Sequence, residues 1–238
     1  MGDYNRIGVC MVHASADEQR PSPRELPQVT LVAIDGTTNT GATEASLTRA
    51  SRALTFAQVL FFAPVPPNAA PEALPRSHWI EIPPKSLKQY NQFCLAELHR
   101  YVQTTHCLTI QSDSYIANAA AWDDAWLEYD YIGAPWPPGH SGTPYRVGNS
   151  GFCLRSRQLL EATAVLPNES YVWRGKVKPS CRDDVITCVM FRPQLEGLGL
   201  RFAPVDVAAR FAFENPTPEA PTLDGQFGVH EYRRRTRA

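Results

Sequence analysis

The features that this 238-residue sequence lacks exclude several classes of protein. It contains no run of about 18 apolar residues, the length that a membrane-spanning helix requires, so we expect no membrane span. Its first residues do not place a charged region before an apolar one, as secretory signals do, so we expect a cytoplasmic protein. No internal repeat is visible in the sequence, and no linker divides it into two domains.

The cysteines show no pairing pattern. The sequence contains no Cys-x-x-Cys pair, no zinc-ligand spacing and no disulfide framework. Several cysteines lie inside apolar segments, so we expect small buried side chains in a reducing compartment. The six positions are Cys10, Cys94, Cys107, Cys153, Cys181 and Cys188.

The charges are balanced, which argues against a nucleic-acid-binding protein. Lys and Arg number 23, Asp and Glu number 24, and the net charge of −1 provides no broad basic surface. One concentrated positive run, Arg233 to Arg237, closes the chain. We interpret residues 232–238 as a solvated basic tail, with an anion-binding arm as the alternative.

Strand-like and helix-like segments alternate in the first half of the chain. Val29–Ile34 and Gln58–Ala63 are short apolar runs typical of buried parallel strands, and a helix starting at Thr43 is predicted between them. The capping box Ser86-Leu87-Lys88-Gln89 opens a second helix, which leads to a strand ending before Asp113. This order predicts right-handed crossovers in an α/β fold.

The second half is predicted to continue the same domain. We expect strands at Tyr129–Ala134, Phe152–Arg155 and Leu200–Val207, and helices at Ser156–Val165 and Arg182–Leu195.

The predicted domain organisation is simple, because the length suits one sizeable core. A flexible arm is predicted at residues 1–27 and a single α/β domain at residues 28–231, with a mostly parallel central sheet flanked by helices.

Two acids at strand ends are candidates for binding a ligand. Asp113 ends a segment in which an apolar run breaks into polar residues, and Asp35 closes the first strand. Ligands of open α/β sheets lie outside the carboxyl ends of the strands, where a carboxylate can hold Mg²⁺ or Mn²⁺ against phosphate oxygens. Asp35 could contact a nucleotide base or ribose. The alternative for both is an ordinary turn or capping aspartate.

The segment Gly148-Asn149-Ser150-Gly151 is a second candidate. Glycines such as Gly148 and Gly151 allow the backbone to approach a ligand closely, and Asn149 offers a donor and an acceptor to sugar hydroxyls. A turn before a strand explains the segment equally well. Trp136 and Trp173 could provide flat faces for a sugar ring, although packing is the commoner use of tryptophan.

Several segments together, from about Val29 to His230, resemble a bacterial and viral domain family of unassigned function described as glycosyltransferase-like. That family in turn resembles the glycosyltransferase-A fold, a Rossmann-like sheet that binds a nucleotide-sugar through a metal held by an Asp-x-Asp motif. The segments are Gln111 to Ser114, Trp122 to Asp124, Tyr129 to Trp136, Gly148 to Arg155, Asp183 to Val185 and Phe227 to His230.

The resemblance implies specific roles. Asp113 and Ser114 stand where the family binds donor and metal, although Asp113-Ser114-Tyr115 has only one acid. His230 is implied as the second metal ligand, with an ordinary surface histidine as the alternative, and an imidazole ligand favours Mn²⁺ over Mg²⁺. Asp184 is implied as the catalytic base of an inverting enzyme, with Asp183 bonded to the acceptor or to backbone. The alternative is that both acids stabilise the start of a helix.

The expected function is therefore a metal-dependent, inverting glycosyltransferase of polysaccharide biosynthesis, which moves a sugar from a nucleotide-diphosphate donor to a hydroxyl of a glycan or glycoconjugate. The alternative is a non-catalytic nucleotide- or carbohydrate-binding domain of the same fold, which the single acid of the metal motif makes credible. A glycoside hydrolase is disfavoured, because Asp123 and Asp124 are adjacent at a helix start and do not suggest two carboxyls flanking one bond.

Overall fold

The computed structural model describes residues 23–68, 77–166, 171–173, 176–178 and 182–231. Most of the predicted N-terminal arm and all of the basic tail lie outside the described residues, as do Cys10, Cys181 and the side chain of Trp173. The other cysteines, Cys94, Cys107, Cys153 and Cys188, are buried free thiols. In the described residues, no helix is long and apolar enough to cross a membrane.

The described strands are β1 (Glu25–Ile34), β2 (Thr55–Ala63), β3 (Ser77–Glu81), β4 (His106–Ile110), β5 (Ser114–Ile116), β6 (Tyr131–Gly133), β7 (Phe152–Ser156), β8 (Tyr171–Trp173), β9 (Lys176–Lys178), β10 (Ala212–Phe213) and β11 (Gly228–His230). The helices are α1 (Gly41–Ala53), α2 (Leu87–Ala96), α3 (Arg157–Thr163), α4 (Asp183–Val185), α5 (Arg192–Gly197) and α6 (Val205–Phe211).

Six strands form the central sheet in the order β3-β2-β1-β4-β7-β6. The first four strands of this order run parallel, and β7 is antiparallel to both β4 and β6. The expected mixed α/β fold with a mostly parallel central sheet is thereby confirmed. Two smaller sheets accompany it, β10-β11-β5 and β8-β9.

Helices cover both faces of this sheet. Leu31 and Ala33 of β1 belong to one apolar cluster with Leu47 of α1. The alternate residues Val32 and Ile34 belong to a second cluster, with Phe93 and its neighbours on α2. Because successive side chains of a strand point to opposite faces, a strand covered on both sides must be apolar throughout. This explains the continuous apolar run that marks β1 in the sequence.

The helix starts were predicted with mixed success. Ser86 forms the predicted capping box with Gln89, which confirms the start of α2. The first helix instead begins at Gly41 with Thr40 at the N-cap, so Thr43 lies inside the first turn. Its hydroxyl donates to a carboxylate oxygen of Asp35 at 2.6 Å rather than capping the helix.

Two segments of the second half differ from prediction. The predicted strand at Leu200–Val207 is wrong, because Pro204 is the N-cap residue of α6 and only Phe202 makes an isolated bridge to the sheet. Proline has no N–H for a strand ladder, and its fixed φ suits a helix start. The predicted helix at Arg182–Leu195 is divided into α4, a π-helical turn and α5. Pro193 lies in the first turn of α5, where its missing N–H does not interrupt a hydrogen-bonded helix.

The first strand also begins earlier than predicted. Glu25 and Leu26 pair with Thr55 and Phe56 of β2, so the last residues assigned to the arm belong to the sheet.

Candidate functional site

A cavity of about 600 Å³ opens at the end of the central sheet where the inner strand β4 ends and the antiparallel β7 begins. Ligands of open α/β sheets bind outside the carboxyl ends of the strands, so this cavity lies where a ligand is expected. The predicted site residues that line it are Asp113, Asn149, Gly151, Asp184 and His230. Asp35, Ser114 and Gly148 are not among its lining residues.

The small sheet β10-β11-β5 aligns three charged residues on one side of this cavity. His230 ends the middle strand, β11, and pairs with Ser114 of β5, the residue that directly follows Asp113. The Nε2 atom of His230 lies 3.3 Å from Oδ1 of Asp113, and its Nδ1 atom lies 3.3 Å from Oε1 of Glu214. The imidazole is therefore held between two carboxylates, one facing each ring nitrogen.

This arrangement favours a charged His230. Burial by itself would lower the pKa of the imidazole, but the contacts with Asp113 and Glu214 outweigh it and raise the pKa of His230 to about 9. At neutral pH the imidazole is then charged and carries a proton on each ring nitrogen. The proton on Nε2 is the one on the side of Asp113. A cation that binds Nε2 must displace this proton, because only the neutral ring is a metal ligand.

Asp113 and His230 fit a shared divalent cation. Two ligands at right angles, each about 2.1 Å from a metal, are separated by about 3 Å, close to the 3.3 Å between Oδ1 and Nε2. Among the residues that the structure describes, no group of three or more His, Cys, Asp or Glu could hold a metal ion. A cation at this pair would therefore resemble Mg²⁺ or Mn²⁺ sites that use one or two protein ligands and complete the shell with water and phosphate.

Asp184 faces the same cavity from the start of α4 and is 7 % exposed. Burial, followed by the negative charge of Asp183, raises the pKa of Asp184 to about 6. One carboxylate oxygen accepts a hydrogen bond from the N–H of Val185 at 2.8 Å. Asp184 is thus a carboxylate at neutral pH, with a pKa close enough to accept a proton during a reaction.

The neighbouring acid has a different environment. Asp183 is buried and forms an ion pair with Arg155, which is itself 3 % exposed. Its other carboxylate oxygen accepts from the hydroxyl of Ser150 at 2.8 Å, and its N–H donates to Oδ1 of Asn91 at 3.3 Å. Both carboxylate oxygens are therefore engaged inside the protein. Asp183 anchors the start of α4 to the strand β7, which positions Asp184.

The glycines of the predicted segment make room for rings. A Cβ atom on Gly151 would lie 2.3 Å from Nε2 of His230, and one on Gly148 would lie 2.0 Å from the indole of Trp136. Trp136 is 5 % exposed and lines the cavity. The structure thus provides a packing reason for each glycine, and their predicted contacts with a donor stay predictions.

Asn149 adopts a left-handed backbone conformation with φ 64°. Its Oδ1 accepts from the N–H of Gly151 at 3.0 Å, while its buried Nδ2 atom has no hydrogen-bond partner among the described residues. Asn and Asp tolerate this conformation better than other residues with a Cβ, because their side chains bond to nearby backbone. A buried amide donor without a partner is costly, and a ligand acceptor would relieve that cost.

Asp35 and Ser114 are engaged in local hydrogen bonds. Asp35 accepts from the N–H and hydroxyl of Thr37 and from the hydroxyl of Thr43. Ser114 is fully buried, and its hydroxyl donates to the carbonyl of Gly151 at 2.5 Å. These contacts match the turn interpretation of Asp35, and the nucleotide contacts predicted for both residues stay predictions.

Glu214 and Arg155 are the site residues that sequence reasoning missed. Glu214 follows β10, a two-residue strand with no visible sequence pattern. Arg155 ends the segment Gly148 to Arg155, and no local pattern identifies Asp183 as its partner. An arginine inside an otherwise apolar strand is a signal that could have been used, since arginine is almost never fully buried unless paired.

The chain matches one sequence family and several solved structures. The family described as “Protein of unknown function (DUF5672)” matches residues 78–230, and no curated protein shows a significant match. Mouse xyloside xylosyltransferase 1 in its apo form is 12 % identical, with a TM-score of 0.51 and coverage of 88 % of this chain and 98 % of that one. At this identity the likeness shows a shared fold.

Two further structures are more distant in shape. A mannosyltransferase from Pyrobaculum calidifontis in complex with GDP-Man and Mn²⁺ is 14 % identical, with a TM-score of 0.46; the match covers 79 % of this chain and 59 % of the mannosyltransferase. The galactosyltransferase LgtC in complex with donor and acceptor sugar analogs is 13 % identical, with a TM-score of 0.49 and coverage of 87 % of both chains.

Proposed function

The chain belongs to the family described as “Protein of unknown function (DUF5672)”, and we propose that it is a metal-dependent, inverting glycosyltransferase. It would move a sugar from a nucleotide-diphosphate donor to a hydroxyl of a glycan or another acceptor. The matched segment, residues 78–230, includes Asp113, Asp184, Glu214 and His230 but not Asp35.

One observation carries this proposal: a candidate metal pair and a candidate base line the same cavity. Asp113 directly precedes β5, His230 ends the neighbouring strand β11, and Asp184 comes from the start of α4, far from both in sequence. A fold shared with a xylosyltransferase supports the reaction class. Open α/β sheets bind ligands at the end of the strands where this cavity lies.

The proposed chemistry divides between the two parts of the cavity. Asp113 and Nε2 of His230 would hold the cation, which when bound supplies Lewis-acid neutralisation of the leaving diphosphate. Asp184 would accept the proton of the acceptor hydroxyl, and its pKa of about 6 leaves it ionised and still basic at neutral pH. The pair of Asp183 and Arg155 would keep Asp184 in position.

Other lining residues would bind the sugars. The Nδ2 donor of Asn149 has no partner in the part of the chain that the structure describes and is suited to a hydroxyl oxygen, and Trp136 provides an aromatic surface in the cavity wall. Leu87 is 66 % exposed and also lines the cavity, so it adds an apolar side chain to the wall.

The first experiment measures thermal stabilisation with Mn²⁺, with UDP or GDP, and with both together. Because the protein offers two ligands and phosphate would supply others, we expect the largest shift when both are present. A ligand at 100 times its Kd stabilises by about 2.7 kcal/mol, which is readily measured. Asp113→Asn should abolish the shift, and Asp206→Asn, an exposed acid outside the cavity, should preserve it.

The second experiment separates an enzyme from a binding domain. Release of nucleoside diphosphate is measured with a panel of nucleotide-sugars, Mn²⁺ and a panel of sugar and glycan acceptors, for the natural sequence and for Asp184→Asn. Turnover that Asp184→Asn abolishes, with the thermal shift retained, supports the transferase. The single acid of the metal motif keeps the binding domain as the alternative, and stabilisation without turnover for any donor would establish it.

A further inference from the structure

Glu214 contacts the one nitrogen of His230 that a metal bound beside Asp113 would not use. The separation of its Oε1 atom from Nδ1 is 3.3 Å, equal to that between Nε2 and Asp113. The two ring nitrogens of an imidazole point in different directions, so a cation on Nε2 cannot also be reached by a carboxylate that faces Nδ1. Glu214 is therefore placed to act on the imidazole rather than on the cation.

The fold determines this position. The strands β10 and β11 are parallel, with Phe213 opposite Val229, so the residues that follow, Glu214 and His230, are neighbours. On the other side of β11, the N–H of Glu231 donates to the carbonyl of Asp113 at 2.8 Å. Backbone pairing thus places Glu214 and Asp113 on opposite sides of the imidazole of His230.

Metal-binding histidines commonly donate the other ring N–H to a carboxylate, which fixes the tautomer and the orientation of the ring. We propose that Glu214 is a positioning residue that keeps the proton of His230 on Nδ1 and directs Nε2 toward the cation shared with Asp113. This proposal rests on the cation site of the proposed function.

Burial distinguishes the two carboxylates. The side chain of Glu214 is 11 % exposed, whereas that of Asp113 is 39 % exposed. Charges interact more strongly where less water screens them, so the contact with Glu214 is the more persistent one. The contact with Asp113 faces the open part of the cavity and is the one that a cation replaces.

Gly151 provides a second constraint on the ring. A Cβ atom there would lie 2.3 to 2.6 Å from the imidazole atoms Nε2, Cε1 and Cδ2, so the ring packs directly against this backbone. Contact with Gly151 limits the plane of the ring, and Glu214 selects which nitrogen carries the proton.

The test measures the affinity for Mn²⁺ by the loss of the free-ion electron paramagnetic resonance signal, with Mn²⁺ alone and with Mn²⁺ plus UDP. Glu214→Ala should weaken binding about tenfold or more, the range seen when the partner of a ligating histidine is removed. Glu214→Gln keeps an oxygen that can accept from Nδ1–H and should therefore lose less affinity for Mn²⁺. Asp184→Asn is the matched control, because it removes a cavity charge that belongs to neither of the two ion pairs described for the imidazole.

The outcomes separate this inference from the function on which it rests. A larger loss in Glu214→Ala than in both Glu214→Gln and Asp184→Asn, with unchanged thermal stability, supports the positioning role. Equal losses in Glu214→Ala, Glu214→Gln and Asp184→Asn would mean that only the cavity charge matters and would overturn it. Unchanged binding in Glu214→Ala would overturn it as well. Absence of Mn²⁺ binding by the natural sequence would overturn the cation site itself.

Discussion

Removal of the guanidinium of Arg155 tests the internal support of the cavity most directly. In Arg155→Met the apolar stem is largely kept, while Asp183, whose side chain is 1 % exposed, loses its cationic partner. A buried ion pair that loses one member typically costs about 3–5 kcal/mol, because the remaining charge is left without compensation. For a domain whose total stability is typically about 5–15 kcal/mol, this is a large fraction.

The same substitution two residues further along provides the control. Arg157 forms its ion pair with Glu161 on the surface, where the two side chains are 41 % and 50 % exposed. Exposed pairs at this helical spacing contribute about 0.3–0.5 kcal/mol, so Arg157→Met should change stability by less than about 1 kcal/mol. Urea unfolding of both variants, followed by circular dichroism, measures the difference.

The double variant Arg155→Met/Asp183→Asn completes the cycle. Replacement of both charges removes the unpaired carboxylate, so the double variant should be more stable than the sum of the single losses, by a coupling energy of about 0.5–3 kcal/mol. If Arg155→Met costs no more than Arg157→Met, the pair does not support the start of α4. Strict additivity in the cycle would lead to the same conclusion.

Three further predictions concern the cavity. Gly151→Ala should destabilise the protein and weaken Mn²⁺ binding in the assays above, because its Cβ would overlap the ring of His230. Gly197→Ala should be tolerated, because a Cβ there meets no atom of the described residues within 4 Å outside its own helix and its chain neighbours. Without metal, His230 should stabilise the fold fully below pH 6.5 and progressively less as pH rises through its pKa of about 9. That shift corresponds to at most about 3 kcal/mol, measured by denaturation at several pH values. If Asp184 is the base, kcat/KM of the proposed transfer should fall below about pH 6, and Asp183→Asn should move this fall to lower pH because the charge of Asp183 raises the pKa of Asp184.

Each of these has a clear contrary result. Equal melting temperatures for Gly151→Ala and Gly197→Ala would show that the ring of His230 is not held against the backbone. For the histidine, His230→Gln should remove the stability loss between pH 6.5 and 9, and a loss that persists in this variant belongs to other groups. An acid limb that does not move in Asp183→Asn would exclude Asp184 as its source.

Local patterns predicted the elements that depend on near neighbours. The capping box at Ser86 and the apolar run of β1 correspond to observed elements. A capping box requires particular residues three positions apart, and burial on both faces requires a continuous apolar run, so both are visible in the sequence. The strand predicted at Leu200–Val207 is wrong, because apolar spacing alone does not separate a short strand from a short helix, and Pro204 favours the helix start.

The candidate site was predictable only in part. Asp113, Asp184 and His230 were singled out through a resemblance and a strand-end position, and the structure places all three on one cavity. Glu214 was missed, because a two-residue strand carries too little periodicity to be seen. Asp183 was expected to bond an acceptor or backbone, whereas both of its carboxylate oxygens are engaged by the side chains of Arg155 and Ser150.

The sequence by itself determined the class of fold, since buried strands and capped helices are each predicted by the spacing of residues only a few positions apart. The tertiary structure alone decided which acids face which partners. Asp113, Glu214 and His230 are separated by long stretches of chain and meet only through the pairing of β5, β10 and β11. The difference between Asp183 and Asp184, adjacent and chemically identical, is likewise one of surroundings: one lies against a buried guanidinium and the other faces the cavity. Burial and distance set the charge and reactivity of such groups, and neither is a property of residues taken in order.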